Sequence, residues 1–185
     1  MIRRNADATF DNVLAETIWE EGGTRFVLDS QDRGGATRHG ISLSYARYQK
    51  ARFDIDGDGD VDEADIRQLP FEVARQAYLE DFWNGNQTAG LPPYLRRLVF
   101  DMSVNQGVRA AARTLQRSLR NVAVDGIIGV KTLGRAMRHT DPAMVIVDFQ
   151  ARRCKKYAET YHFQRYGYGW LRRAARVHHR TVINL

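Results

Sequence analysis

The chain of 185 residues holds a single cysteine, Cys154, so no intramolecular disulfide can staple it and its stability must come from apolar packing. Cys154 itself reads as a core or incidental thiol. Four prolines and no Pro- or Ser-rich stretch leave no candidate linker, and a chain of this length can bury one core of its own. A run of about 18 apolar residues, the minimum for spanning a bilayer, is also missing. The segment Met1-Ile2-Arg3-Arg4-Asn5-Ala6-Asp7 is basic, but no apolar stretch follows it, so no signal peptide is expected. Acidic residues are nearly absent from the C-terminal fifth. Residues 151–185 carry nine Lys/Arg against Glu159 alone, whereas residues 1–150 carry 19 bases and 21 acids. The sequence pI near 9.7 therefore belongs to that last stretch and points to an anionic partner there. By charge alone, nucleic acid, anionic lipid and anionic wall polymer all qualify.

What is present is mostly helical periodicity. Val13, Leu14, Thr17 and Ile18 recur at helical spacing after Asp11, a suitable N-cap, and Gly22-Gly23 should end that helix with Glu21 in its last turn. Thr24 to Leu28 and His39 to Ser42 are β-prone pieces around Gly34-Gly35, which predicts a small hairpin lobe. Further helices are expected over 44–52, 70–83, from Pro92 or Pro93 onward, 109–120, 132–137, and 142–161 with Asp141 as N-cap and Pro142 at the first helical position. A basic helix from Trp170 to about Arg180 closes the chain. One compact, mainly α domain with one inserted loop is the expectation.

That loop is Asp54-Ile55-Asp56-Gly57-Asp58-Gly59-Asp60-Val61-Asp62-Glu63-Ala64-Asp65. Its carboxylates fall at positions 1, 3, 5, 9 and 12, with glycine at 6 and an aliphatic residue at 8, the pattern of an EF-hand-type calcium loop. Asp54, Asp56, Asp58, Asp62 and Asp65 would supply side-chain oxygens and Asp60 its backbone carbonyl. Position 12 is Asp65, one methylene shorter than the usual glutamate. With no second such loop in the chain, a structural Ca²⁺ clip is expected rather than a sensor.

Chemistry has its clearest candidate in Glu21. Glycosidic cleavage needs a carboxylic acid at the leaving oxygen and a second group on the opposite face of the sugar. Glu21 precedes Asp29, Asp32 and Thr37 across a glycine-rich loop. Glu21-Gly22-Gly23 followed by Asp32-Arg33-Gly34-Gly35-Ala36-Thr37-Arg38-His39-Gly40-Ile41-Ser42 resembles the signature of glycoside hydrolase family 108, the lysozyme-like phage endolysins and bacterial N-acetylmuramidases. The similarity continues through Asp65-Ile66-Arg67-Gln68-Leu69, Ala77-Tyr78, Phe82-Trp83 and Phe100-Asp101-Met102-Ser103-Val104-Asn105-Gln106-Gly107. Leu115-Gln116 and Asp125-Gly126-Ile127-Ile128-Gly129-Val130-Lys131-Thr132-Leu133 resemble the family's peptidoglycan-binding-like segment, and Gly169-Trp170-Leu171 with Arg173 resembles its ending.

The resemblance implies a lysozyme-like fold in one domain, 1–185, with a catalytic part over 1–98 that carries the calcium loop at 54–65. A peptidoglycan-binding-like helical part over 99–164 and the basic C-terminal helix over 165–185 complete it. It places the catalytic acid on Glu21 and a water-holding threonine on Thr37, while Asp29 and Asp32 both remain candidates for the second carboxylate. Thr24 stands where the family has an aromatic residue, and the calcium loop is a specialisation outside the general family pattern. Asp101 and Asn105, one helical turn apart, fit either sugar hydroxyls or helix-packing hydrogen bonds; His39 fits a cleft wall or a hydrogen-bonded loop position.

The implied function is hydrolysis of the MurNAc–GlcNAc bond of peptidoglycan for host lysis. A lytic transglycosylase and a non-catalytic calcium-dependent wall-binding module are the alternatives. The implied protein is a monomer that acts on peptidoglycan, with no nucleic-acid partner. Its basic tail would either touch anionic outer-membrane lipid or dock on the core with a solvated charged face. Without a signal peptide it would be made in the host cytoplasm and reach the periplasm of a Gram-negative host after holin-type release.

Overall fold

The computed structural model describes residues 8–28 and 35–183. Among these, ten α-helices, a π-helical turn, a 3₁₀ turn and one two-stranded antiparallel sheet account for the ordered elements. This is the mainly helical architecture with a small β lobe that the sequence predicts, consistent with a lysozyme-like fold. Asp29 and Asp32 lie outside the described residues. No helix among the described residues is long and apolar enough to cross a membrane.

The chain divides into two compact units, Leu14–Leu79 and a larger one formed by Met1–Val13 with Glu80–Leu185. Neither boundary is marked by a change of composition, because Val13-Leu14 falls inside the first helix and Leu79-Glu80 inside the π-helical turn.

In the smaller unit, α1 (Phe10–Glu20) contributes buried Leu14, Thr17 and Ile18. The Thr9 carbonyl accepts from the Val13 amide at 3.1 Å, so the N-cap position is Thr9. Asp11, the expected cap, lies instead in the first turn, where a carboxylate complements the partial positive charge of the helix end. β1 (Thr37–Arg38) and β2 (Ile41–Ser42) form a hairpin that leads directly into α2 (Leu43–Tyr48), capped by the Ser42 hydroxyl. The helix expected over 44–52 is broken at Gln49 (φ −114°, ψ 39°), and α3 (Lys50–Phe53) follows. α4 (Glu63–Gln68) grows out of the end of the acidic loop and was not legible as a helix, since its first turn doubles as the loop's last carboxylates. α5 (Phe71–Ala77) then passes into a π-helical turn, Tyr78–Asn84. Phe53, Ile66, Leu69, Ala74 and Tyr78 are fully enclosed in this unit.

The larger unit is a helical bundle of α6 (Pro93–Gln106), α7 (Val108–Leu119), α8 (Val130–Met137), α9 (Pro142–Ala158) and α10 (Phe163–Val182). Leu95, Leu98, Val99 and Met102 of α6 meet Leu115 of α7, Ile146 and Phe149 of α9 and Val177 of α10 in one core. Phe10, Trp83 and Phe100 form an edge-to-face aromatic cluster with centroids 5.5–6.0 Å apart, which makes Trp83 a core residue. α9 begins as predicted, with the Asp141 carboxylate accepting from the Met144 amide at 3.0 Å and Pro142 in the first turn. α10 starts at Phe163, well before Trp170. Gly167 and Gly169 argue against helix by propensity, but Gly167 is buried, and any Cβ there would lie 2.7 Å from the Phe163 ring. Tertiary packing overrides propensity at that point. The apolar side of α10, with Ala174 and Val177, is enclosed by the bundle, while Arg165, Arg172 and His179 face solvent. Cys154 is half-buried on α9, and burial pushes its thiol up, away from reactive thiolate, against a small opposing pull from Arg153.

Candidate functional site

Glu21 sits at the C-cap of α1, fixed by the way that helix ends. The Gly23 amide bonds the Ile18 carbonyl at 2.9 Å and the Gly22 amide bonds Trp19 at 3.3 Å. These are the two bonds of a Schellman ending, with Gly22 in the required left-handed conformation (φ +93°). The paired glycines thus do more than stop the helix. They hold the backbone of Glu21, whose amide is itself bonded to the Thr17 and Ile18 carbonyls at 3.0 and 3.1 Å.

The side chain of Glu21 lies against the β hairpin. The hairpin turn is His39-Gly40, with φ +52° and +76°, a two-residue turn of the kind that matches strand twist when both central residues have positive φ. A Cβ at Gly40 would fall 2.3 Å from the Tyr78 hydroxyl and 3.2 Å from the Cβ of Glu21. Only glycine lets the turn approach both residues. The Tyr78 hydroxyl donates to the His39 carbonyl at 3.2 Å and so ties the turn to the π-helical segment. The hairpin expected around Gly34-Gly35 is therefore centred at His39-Gly40, while Val27 pairs with Thr37 as an isolated bridge, both amides bonded at 2.8 Å. Thr37 is the middle residue of this small sheet, paired with Val27 on one side and Ser42 on the other, and half-buried. Arg38 reaches the Arg67 carbonyl, and Arg67 covers the Phe26 ring at 4.1 Å, which anchors the lobe to α4.

His39 occupies the turn as a buried residue, with its ring edge-on to Phe71 at 5.5 Å. Burial, and secondarily the charge of Arg38, pushes its imidazole below the usual histidine range against a hydrogen bond with the Leu69 backbone. Its Nδ1 is enclosed without a hydrogen-bond partner.

Asp101 is likewise buried, and its carboxylate is taken up by two guanidiniums. Arg153 Nη2 donates to Oδ2 at 2.5 Å and Arg173 Nη2 to Oδ1 at 2.8 Å. Burial pushes the carboxyl up, but Arg153 and Arg173 outweigh it and hold it below the ordinary carboxylate range. Of the two roles the sequence leaves open for Asp101, helix packing is the observed one. Asn105, one turn on, is half-buried and accepts from the Tyr157 hydroxyl at 2.5 Å. The two arginines were missed in the sequence as partners of Asp101. The available signal was spacing, since Ile146, Phe149, Arg153 and Tyr157 share one face of α9.

The acidic loop closes on itself through Asp65. Its Oδ1 accepts from the Ile55 amide at 2.6 Å, and its Oδ2 accepts from Asp62 at 2.8 Å, where Asp62 caps α4. Gly59 donates to Asp54 Oδ2 at 3.1 Å across the turn, and Asp60 donates to Asp58 Oδ1 at 2.9 Å. Two groups of carboxylates converge and share Asp65: Asp54, Asp56 and Asp65, and Asp60, Asp62 and Asp65, with oxygens in each group within 4.8 Å of one another. Asp58 belongs to neither. Asp54 Oδ1 is buried with no hydrogen-bond partner, an arrangement that is costly unless a cation or donor meets it. Neighbouring Asp58, with burial, Asp62 and Asp65 after it, pushes the Asp60 carboxyl up. An all-oxygen, like-charged set of this kind fits a hard divalent cation such as Ca²⁺.

The segment at 125–132 is organised by one buried side chain, Gln116. Its Nε2 donates to Asp125 Oδ1 at 2.7 Å and to the Ile127 carbonyl at 2.9 Å, while its Oε1 accepts from the Gly126 amide at 2.9 Å. The motifs Leu115-Gln116 and Asp125-Gly126-Ile127 are thus two halves of one hydrogen-bonded turn.

The family model for glycosyl hydrolase 108 matches residues 14–107. The chain is similar in structure to SagA of Brucella abortus, with 27% sequence identity and a TM-score of 0.78, covering 94% of this chain and 93% of that one. No curated protein matches.

Proposed function

This chain belongs to glycosyl hydrolase family 108, and from that premise we propose that it is an endolysin-type N-acetylmuramidase with Glu21 as its general acid. At the coarser level, the family makes it a glycoside hydrolase of bacterial peptidoglycan. The finer reading rests on the placement of Glu21, held by a Schellman ending against a hairpin turn that only glycine permits. Glu21 would protonate the leaving oxygen as the bond from MurNAc C1 breaks. Water then bonds to C1 from the opposite face and loses its proton to the group there. Thr37, central in the hairpin sheet, is our assignment for holding that water, with Asp29 and Asp32 kept from the sequence as the candidates for the second carboxylate. Mass spectrometry of purified peptidoglycan digested by the protein tests the reaction type. Reducing MurNAc ends are expected, whereas 1,6-anhydro ends would identify a lytic transglycosylase and overturn hydrolysis.

We also propose that Asp54, Asp56, Asp62 and Asp65, with the Asp58 side chain and the Asp60 carbonyl, hold a structural Ca²⁺. Buried, unpartnered Asp54 Oδ1 supports this reading. When bound, the ion neutralises the loop and ties α3 to α4; no catalytic role is assigned to it. Calcium at about 100 times its dissociation constant should stabilise the fold by roughly 2.7 kcal/mol. Thermal unfolding in Ca²⁺, in Mg²⁺ and in chelator measures this. An unfolding midpoint that ignores all three would rule the site out.

A further inference from the structure

Helices α7 and α9 pack together through Leu115, Ile146 and Phe149. Between them they leave a surface groove of about 320 Å³, within the size range of small-ligand pockets. Thr114 and Arg117 line it from α7, three residues apart on one helix face. Arg152, Lys155, Lys156 and Glu159 line it from the other side, at the i, i+3, i+4 and i+7 positions that share a face of α9 and its cap. Lys155 and Lys156 also complement the negative end of α9. That accounts for two of the cations, but not for Arg117 lining the same groove from α7.

The four cations meet too few acids. Arg152 Nε donates to Asp148 at 2.9 Å. Lys155 stands 3.8 Å from Glu159 with both side chains largely exposed, a pair that contributes little. Arg117 and Lys156 are exposed and paired with no acid among the described residues. Thr114 is the buried member of the lining, and no described residue bonds its hydroxyl.

Cations gathered in a concave surface raise the local concentration of anions, and two cations without an acid call for a dianion. A phosphomonoester carries about −1.5 to −2 charges at neutral pH and three acceptor oxygens. A guanidinium meets such oxygens in its planar fork, and an ammonium as a point charge. A carboxylate or a phosphodiester brings one charge and would leave a cation unmatched. Thr114 adds a neutral hydroxyl to the set, and there is room beside the phosphate for the alcohol it esterifies.

We propose that the groove between α7 and α9 binds a phosphomonoester group, carried on a sugar or on a lipid headgroup. Arg117 and Lys156 are its principal contacts, with Arg152, Lys155 and Thr114 in support. The site is built on α7 and α9 rather than on the basic face of α10. It does not rest on the hydrolase reading, whose residues Glu21 and Thr37 belong to the smaller unit.

Calorimetry on the full chain at low salt tests this with glucose 6-phosphate, glucuronate and glucose. Glucose 6-phosphate should bind about tenfold or more tighter than glucuronate, which carries a single charge at the same carbon, and glucose should give no binding heat. Arg117→Gln combined with Lys156→Gln should weaken glucose 6-phosphate about tenfold or more. Arg165→Gln combined with Arg172→Gln removes the same charge from α10 and should change that affinity less than about twofold. Sedimentation with phosphatidylcholine vesicles containing phosphatidic acid distinguishes the source of the phosphate. Vesicle binding that the groove variant loses and the α10 variant keeps assigns it to a lipid headgroup. Sugar phosphate binding that the groove variant loses, without such vesicle binding, assigns it to a soluble ester. Glucuronate bound as tightly as glucose 6-phosphate, equal loss in the two double variants, or no phosphate binding that depends on Arg117 and Lys156 would overturn the proposal.

Discussion

Glu21→Gln is expected to lower peptidoglycan hydrolysis by about 10²–10⁴-fold, the range that general-acid assistance supplies. The substitution keeps the length and planarity of the side chain and replaces the carboxyl with an amide that cannot give up a proton to the leaving oxygen. The features that place residue 21 are backbone features, namely the Schellman bonds through Gly22 and Gly23 and the amide bonds to Thr17 and Ile18. They do not depend on the side chain being an acid. Stability should accordingly change by no more than about 1 kcal/mol, as for most substitutions away from a core. Turbidity loss of purified cell walls gives the rate, and urea unfolding gives the stability. A variant that unfolds like the wild type and still clears walls at the wild-type rate would remove Glu21 from the catalytic role, and would favour a binding module whose activity has another source.

The distribution of what the sequence made legible follows from the range of the interactions. Local signals read well. Gly22-Gly23 ending α1, Asp141-Pro142 opening α9 and the mainly helical class all arise from one or two turns of chain. Long-range packing did not read. Nothing local predicts that Gly167 is buried against Phe163 in a helix, or that the hairpin turns at His39-Gly40, because the Tyr78 hydroxyl that holds that turn comes from a distant segment. Asp101 shows the same limit at the site level. Its spacing to Asn105 is visible on one helix face, but its two partners come from α9 and α10, 52 and 72 residues away in sequence. The resemblance places Glu21 and Thr37 by alignment, and the structure adds the physical reason that Glu21 and the hairpin are adjacent, which is the lack of a side chain at Gly40.

Asp101→Asn should destabilise the fold by about 3–5 kcal/mol, the cost of leaving buried charges without their counter-ion. Arg153 is wholly enclosed and Arg173 nearly so, with side-chain exposures of 0% and 6%. Asp101 is bonded to both. An asparagine of the same shape still accepts hydrogen bonds, yet it removes the negative charge that both guanidiniums meet at this position. That loss is a large share of the roughly 5–15 kcal/mol that holds a typical domain together. The pH dependence follows in sign from the lowered Asp101 carboxyl. A carboxyl held below its unfolded value binds fewer protons in the native state, so its contribution is complete above the ordinary value of 3.8 and is lost as pH falls through the lower folded value. Wild-type stability should therefore decline in acid below about pH 4 with a slope to which Asp101 adds up to about 1.4 kcal/mol per pH unit. Asp65 and Asp125 are also held low, Asp65 by backbone amides that outweigh its burial and Asp125 first by Gln116, so the variant should show a shallower acid slope rather than none. Urea unfolding of both proteins between pH 3 and pH 7 separates the two effects. An unchanged free energy at pH 7 would mean that the two arginines find other partners, and an unchanged acid slope would mean that Asp101 does not titrate with unfolding.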